Sequence, residues 1–285
     1  MHQNIRFGKF NIRRHRKYGH KMNRIFCLTV ITVIFTTIIG AAYILKSSEN
    51  SIDIKAKINI KPESQTSVTD KETDIEISYD YTKTVPESDV VDNDYFDDAV
   101  FIGDSRTEGM ILNTGLSNAI SYVNKGLMVD TVFTEPVINK EGEKLSVMDA
   151  LRQTDFRKVY IMLGINETGW AHSDIFVERY CEIIDEIKNI NPQAVIYVQE
   201  ILPVTDDVSK THSYINNKKI NEYNTLIRKM AEDKHIYFID VANAVSDENG
   251  CLPVDAAVDG IHLNKNYCEK WLEYLKTHTV TKLEG

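Results

Sequence analysis

From about residue 94 onward, short apolar runs alternate with longer stretches of helical period. Residues 99–102, 119–123, 159–162, 195–199 and 236–239 have the length and the β-branched or aromatic content of buried strands. Between the third and fourth runs, Phe176, Tyr180, Ile183, Ile184 and Ile187 recur every three or four residues until Pro192 closes the pattern. Ile220, Tyr223, Leu226, Ile227 and Met230 repeat it before the fifth run, and Tyr267, Trp271, Leu272 and Leu275 mark a last helix. Strands alternating with helices predict a parallel sheet covered on both faces. Such sheets take ligands beyond the carboxyl ends of their strands, so polar residues at strand exits are the candidates for chemistry.

The first 93 residues follow other rules. Residues 1–24 carry eight basic side chains and no acidic one. Residues 25–45 are 21 uncharged, mostly apolar positions, a helix of about 31 Å at 1.5 Å per residue, long enough to span a bilayer. A secretory signal has a similar basic start but a shorter apolar region, and the small residues Gly40, Ala41 and Ala42 leave cleavage open. Basic flanks stay on the cytoplasmic side. The expected organisation is therefore a cytoplasmic tail over 1–24, a single-pass signal-anchor over 25–45, a polar extracellular stalk over 46–93 and a folded domain over 94–285 outside the cell membrane. Within the stalk, residues 51–60 and 74–81 alternate apolar and polar positions, a period-two pattern that suits edge strands or a docking surface.

Charge narrows the partners. Setting the tail's eight aside leaves 25 basic residues against 42 acidic ones, a balance of −17. An acidic body argues against nucleic acid. Beyond Cys27 in the apolar span, Cys181, Cys251 and Cys268 form no C-x-x-C pair, so metal-ligand spacing is absent and no metal or other cofactor is expected.

Four strand exits carry polar residues. The first strand runs into Gly103-Asp104-Ser105. Ser105 and Glu108 fit the S-x-x-E capping box, and Ser105 at a helix start also suits a nucleophile among unpaired amides. Gly126 follows the second strand, where a backbone amide can approach a ligand, or simply turns the chain. After the third strand come Gly164 and Asn166, the latter either an NH2 donor at the site or an Asx turn. Near the C-terminus, Asp259 precedes His262 by three residues, a spacing that suits a base with its orienting acid, a surface turn or a metal pair. His172, after the third strand, is the rival base and is assigned to the rim of the site.

The order G-D-S, Gly, G-x-N, D-x-x-H at successive strand exits resembles the SGNH/GDSL hydrolase family over about residues 94–280. The resemblance implies a three-layer α/β/α sandwich with a five-stranded parallel sheet, flavodoxin-like in kind. By carry-over, Ser105 would be the nucleophile, His262 the general base and Asp259 the residue that orients it. The backbone amides of Ser105 and Gly126 and the Asn166 side chain would form the oxyanion hole. The chain departs from the family pattern at Arg106 and at Glu167, where Asp is common, and the two either line the substrate pocket with His172 or form a salt bridge between secondary elements.

The resulting expectation is a serine esterase removing small acyl groups such as acetyl from cell-wall or other carbohydrate. One alternative is an O-acyltransferase that passes acetyl to a glycan hydroxyl through the same serine. The other is a membrane-anchored binding module without catalysis.

Overall fold

The computed structural model describes residues 79–280. The expected basic tail, apolar span and the stalk as far as residue 78 lie outside the described residues. Among the described residues, no helix is long and apolar enough to cross a membrane.

Five parallel strands form the central sheet: β1 (Ala99–Gly103), β2 (Ile120–Val123), β5 (Lys158–Met162), β6 (Val195–Gln199) and β7 (Tyr237–Ile239), in the order β2-β1-β5-β6-β7. A small antiparallel hairpin, β3 (Ile138–Lys140) and β4 (Glu143–Leu145), stands apart from it. The helices are α1 (Ser105–Thr114), α2 (Val147–Leu151), α3 (Ser173–Ile190), α4 (Asp206–Thr211), α5 (Asn217–Lys234) and α6 (Lys265–Lys276). The sheet matches the five-strand expectation, with boundaries within one residue. The hairpin, α2 and α4 were not foreseen.

Alternation along the strands produces the three layers. Val100 and Ile102 of β1, Val159 and Ile161 of β5, and Ile196 and Val198 of β6 point to one side, where Phe176, Tyr180, Ile184, Tyr223 and Ile227 of α3 and α5 pack on them. Ala99, Phe101, Tyr160, Met162 and Tyr197 point to the other, against Met110 of α1 and Trp271, Leu272 and Leu275 of α6. On that second face the register places Phe101 beside Tyr160, Tyr160 beside Tyr197 and Tyr197 beside Tyr237. The first three rings stack with centroids 4.8 and 4.5 Å apart, a cross-strand ladder worth more than its buried area alone.

The folded unit begins before Asp94. Residues 79–93, assigned to the stalk from their polar composition, lie along the β7 edge instead. Thr84 bridges Phe238 in parallel, the Val85 amide donates to the Phe238 carbonyl at 2.9 Å, and the Val85 side chain is buried. Farther on, the amides of Ser88 and Val91 donate to Thr277 and Lys276 at the end of α6. This strap pairs part of an edge that would otherwise be open.

The end of β1 is held tightly. A Cβ on Gly103 would sit 2.1 Å from Thr107 Oγ1 and 2.9 Å from the Met162 carbonyl oxygen, so only glycine lets α1 turn directly off the strand. One turn later Arg106, expected in the substrate pocket, is buried instead. Its Nη1 donates to the Leu202 carbonyl at 2.8 Å, Nη2 to Pro203 at 2.6 Å and Nε to Ile261 at 3.2 Å. Burial pulls the guanidinium down to about 10, and Asp104 and Asp259 nearby oppose that shift, so it stays charged at neutral pH. Asn224 and Asn217 of α5 grip the same segment from the far side, each bonding both the amide and the carbonyl of one residue, Ile201 and Val204 respectively. Arg106 thus ties α1 to the exit of β6 and to the loop before α6.

Arg106→Met keeps much of the length and removes all three bonds, leaving buried carbonyls without their donor. The expected loss is about 3 kcal/mol or more of unfolding free energy, read from the midpoint in denaturant titrations. A midpoint equal to the parent chain's would show that the tie contributes nothing.

Candidate active site

β1 is flanked by β2 and β5, so the segments leaving these three strands meet at one end of the sheet. Gly103 pairs in register with Val123 on one side and Met162 on the other. Ser105, Gly126 and Asn166 follow those positions by two, three and four residues. The sheet's topology alone brings them together.

Ser105 is the first residue of α1, and the cap is Asp104. Its Oδ1 accepts from the Arg106 amide at 2.9 Å, so the capping expected of Ser105 with Glu108 falls to its neighbour. The Ser105 hydroxyl is released for another partner. Its Oγ lies 2.9 Å from His262 Nε2.

The histidine is placed by a tight turn. Gly260 has φ +82°, and Ala257 and Leu263 form an antiparallel bridge that closes the loop. Inside it, Asp259 Oδ1 accepts from the amides of Ile261 at 3.0 Å and His262 at 2.8 Å. Its Oδ2 lies 2.8 Å from His262 Nδ1. With Nδ1–H donated to the carboxylate, Nε2 is left to accept the Ser105 proton. Burial tends to raise the Asp259 carboxyl, but the donors from the His262 amide, the His262 ring and the Ile261 amide outweigh it and hold the group down to about 2. It is ionised at neutral pH.

Gly126 follows the β2 exit and Asn166 the β5 exit, on either side of the strand that carries Ser105. Gly126 has φ +74°, and a Cβ there would meet no atom within 4 Å, so the glycine serves the backbone conformation. Asn166 Nδ2 donates one hydrogen to the Leu127 carbonyl at 3.1 Å. The bond crosses from the β5 exit to the β2 exit and does not close an Asx turn. The second amide hydrogen remains for a ligand.

One further expectation changes. Glu167, expected in the pocket, is wholly buried, and its Oε1 accepts from the Val129 amide at 2.7 Å. Burial drives its carboxyl up to about 8. His172 lies at the surface, at the N-terminal boundary of α3 and 3.9 Å from Asp174. Cys181, Cys251 and Cys268 are unpaired thiols, and the described residues contain no His, Cys, Asp and Glu cluster able to hold a metal.

The sequence missed the inward direction of Arg106 and Glu167, and also Asn217 and Asn224. The two asparagines had a signal, since a spacing of seven puts both on one face of a predicted helix.

A buried-backed serine, an imidazole on its hydroxyl and an ionised acid on the imidazole form the arrangement that activates an oxygen nucleophile. A family model described as GDSL-like lipase/acylhydrolase matches residues 101–266. No curated protein matches the chain. Among solved structures, one described as a candidate platelet activating factor from Streptococcus pneumonia is 20% identical, with 63% of this chain and 82% of that one covered at a TM-score of 0.51. A GDSL-like lipase from Bacteroides thetaiotaomicron is 18% identical, covering 62% of this chain and 84% of that one at 0.47. The periplasmic domain of a lipopolysaccharide acetyltransferase from Salmonella ser. Paratyphi A is 16% identical, covering 62% and 82% at 0.46. The first of these likenesses bears on the fold. The family match spans more than half of the 285 residues, and the chain belongs to the GDSL-like lipase/acylhydrolase family of SGNH-type serine hydrolases.

Proposed function

We propose that the chain is an esterase acting outside the cell, held to the membrane by residues 25–45, that removes small acyl groups, acetyl foremost, from carbohydrate. The observation that carries the chemistry is the unbroken relay from Ser105 Oγ through His262 to Asp259, at 2.9 and 2.8 Å. The basic tail, the apolar span and the acidic balance of the remainder support an outward-facing enzyme that anionic lipid and nucleic acid repel.

In this reading His262 Nε2 takes the Ser105 proton as Oγ attacks the ester carbonyl carbon. The carbonyl oxygen becomes an oxyanion, facing the amides of Ser105 and Gly126 and the second Nδ2 hydrogen of Asn166. The tetrahedral species collapses, the bond to the alcohol breaks, and the departing oxygen takes the proton from His262. Water then repeats the sequence on the acyl-serine and releases the acid. Asp259 stays ionised throughout and offsets the charge on the imidazolium.

Hydrolysis of p-nitrophenyl acetate, butyrate and octanoate tests the reading. The expected result is turnover that falls with chain length and vanishes in Ser105→Ala. Turnover unchanged in that variant would remove Ser105 from the reaction. Activity on none of the esters, with acetyl passed to an added glycan, would make the enzyme a transferase.

Asn166→Ala is expected to lower kcat about a hundredfold with KM little changed, as loss of an oxyanion donor does. Near-normal turnover would take Asn166 out of the oxyanion hole.

The pH profile has a defined slope. Because Asp259 is held down to about 2, its ionised form is present above the ordinary carboxylate range and is lost only as pH falls toward 2. On the acid side, Asp259 therefore adds no proton of its own through the ordinary carboxylate range, and log kcat/KM is expected to fall with a slope of no more than about one. A slope near two would show that Asp259 takes up its proton in the same range.

A further inference from the structure

Glu167 is buried beside the site and does not face it. Its backbone is fixed from three directions. The amide donates to the Gly164 carbonyl at 3.2 Å, and the carbonyl accepts from the Trp170 amide at 2.8 Å and from the Tyr223 hydroxyl at 2.6 Å. From that base the side chain reaches across to the β2 exit, where Oε1 accepts from the Val129 amide at 2.7 Å. One residue earlier, Asn166 Nδ2 makes the parallel reach to the Leu127 carbonyl at 3.1 Å. Two adjacent residues after β5 therefore grip two residues of the turn that starts at Gly126.

Beyond Gly126, the buried Leu127 and Val129 side chains and the bonds between Met128 and Thr131 anchor the segment in the core, whereas the Gly126 end is held by backbone alone. Gly126 is exposed and has no neighbour where a Cβ would point, and the backbone bonds at its start are Asn124 to Gly103 at 3.2 Å and Leu127 to Asn124 at 3.1 Å. An amide aimed at a developing oxyanion stabilises it only if its direction is fixed before the reaction.

We infer that Glu167 is the positioning residue of the oxyanion hole, holding the Gly126 turn through the Val129 amide so that the Gly126 and Asn166 donors share one target. The inference rests on the proposed serine esterase chemistry.

The protonation state fits that role. The groups that act on the carboxyl are Asp104 at the cap of α1, Asp130 on the β2 exit, and Tyr180 and Tyr223 on α3 and α5. Burial first, then Asp104 and Asp130, favours the neutral acid, and the Val129 amide favours the charged one. With burial prevailing, the group is mostly neutral at pH 7, so it accepts from Val129 without placing a negative charge behind the forming oxyanion. A charged side chain pointing into the pocket could not serve that purpose.

The test is p-nitrophenyl acetate hydrolysis by the full chain, with competent sites titrated to completion by a serine-directed organophosphonate. Glu167→Ala is expected to lower kcat per titrated site about tenfold to a hundredfold with KM within about twofold. Glu167→Gln, which retains an acceptor of the same reach, is expected to restore kcat per site to within about threefold of the parent. If the alanine variant does not fold, Glu167→Asp replaces it, one methylene too short to reach Val129, with the same expected loss. Turnover per titrated site equal to the parent in the alanine or aspartate variant would overturn the inference, because Glu167 would then act on folding alone. So would a glutamine variant as slow as the alanine one. Ser105→Ala, run alongside, separates the two ideas: retained activity there defeats the esterase reading itself.

Discussion

The structure turns on a cation that never meets substrate. Ser105 and His262 are 157 residues apart in sequence and 2.9 Å apart in space, and a proton can pass only if the supports of each are locked to the other. Arg106 is that lock. Its backbone belongs to the nucleophile's helix, and its guanidinium ends on carbonyls at the β6 exit and directly before the histidine, at Ile261. A buried guanidinium is costly to desolvate. Carbonyl acceptors satisfy its donors, while Asp104 and Asp259 supply the opposing charge at longer range. Lysine could not replace it, since a point ammonium does not fork toward three acceptors.

The sheet explains why the other parts fall where they do. β1 lies inside the sheet between β2 and β5, so the exits that carry Gly126 and Asn166 flank the one that carries the serine. The base comes from after β7, two strands beyond β5, and must be carried back. The segment after β6 does this: the Thr205 amide donates to the Gly260 carbonyl at 2.9 Å, and a Cβ on Gly260 would strike Val208 Cγ2 at 2.5 Å. Gly260 therefore combines a positive φ with a close approach, and the motif that looks like a surface turn is seated on a second loop.

The strands and the four motif blocks were legible because they depend on local information. Runs such as 159–162 are apolar whichever way they face, since both faces of a parallel sheet are covered, and a motif at the end of such a run is at a strand exit by construction. Direction was not legible. Arg106 and Glu167 were placed at the pocket because they stand where the family pattern carries other residues; their partners are backbone carbonyls and an amide 38 to 155 residues away, which no window of sequence contains. The strap failed for the opposite reason. Residues 79–93 are polar overall, and one buried valine with a few amide bonds suffices to dock them. The 138–145 hairpin is too short and too charged for a period to show.

Two carboxyls near the serine divide the electrostatic work by environment alone. Asp259 lies in a partly open loop with three donors aimed at it and is held down to about 2; Glu167 lies beyond the exit of the central strand with one donor and no exposure, and is driven up to about 8. The catalytic cycle makes opposite demands at the two places. Beside the imidazole a positive charge forms, and a permanent anion lowers its energy. Behind the oxyanion hole a negative charge forms, and an anion there would raise it. An acid that keeps its proton accepts the same backbone hydrogen bond at no such cost. Exchanging the environments while keeping the residues would reverse both effects, so the buried position of Glu167 is as much a part of the site's chemistry as the identity of His262.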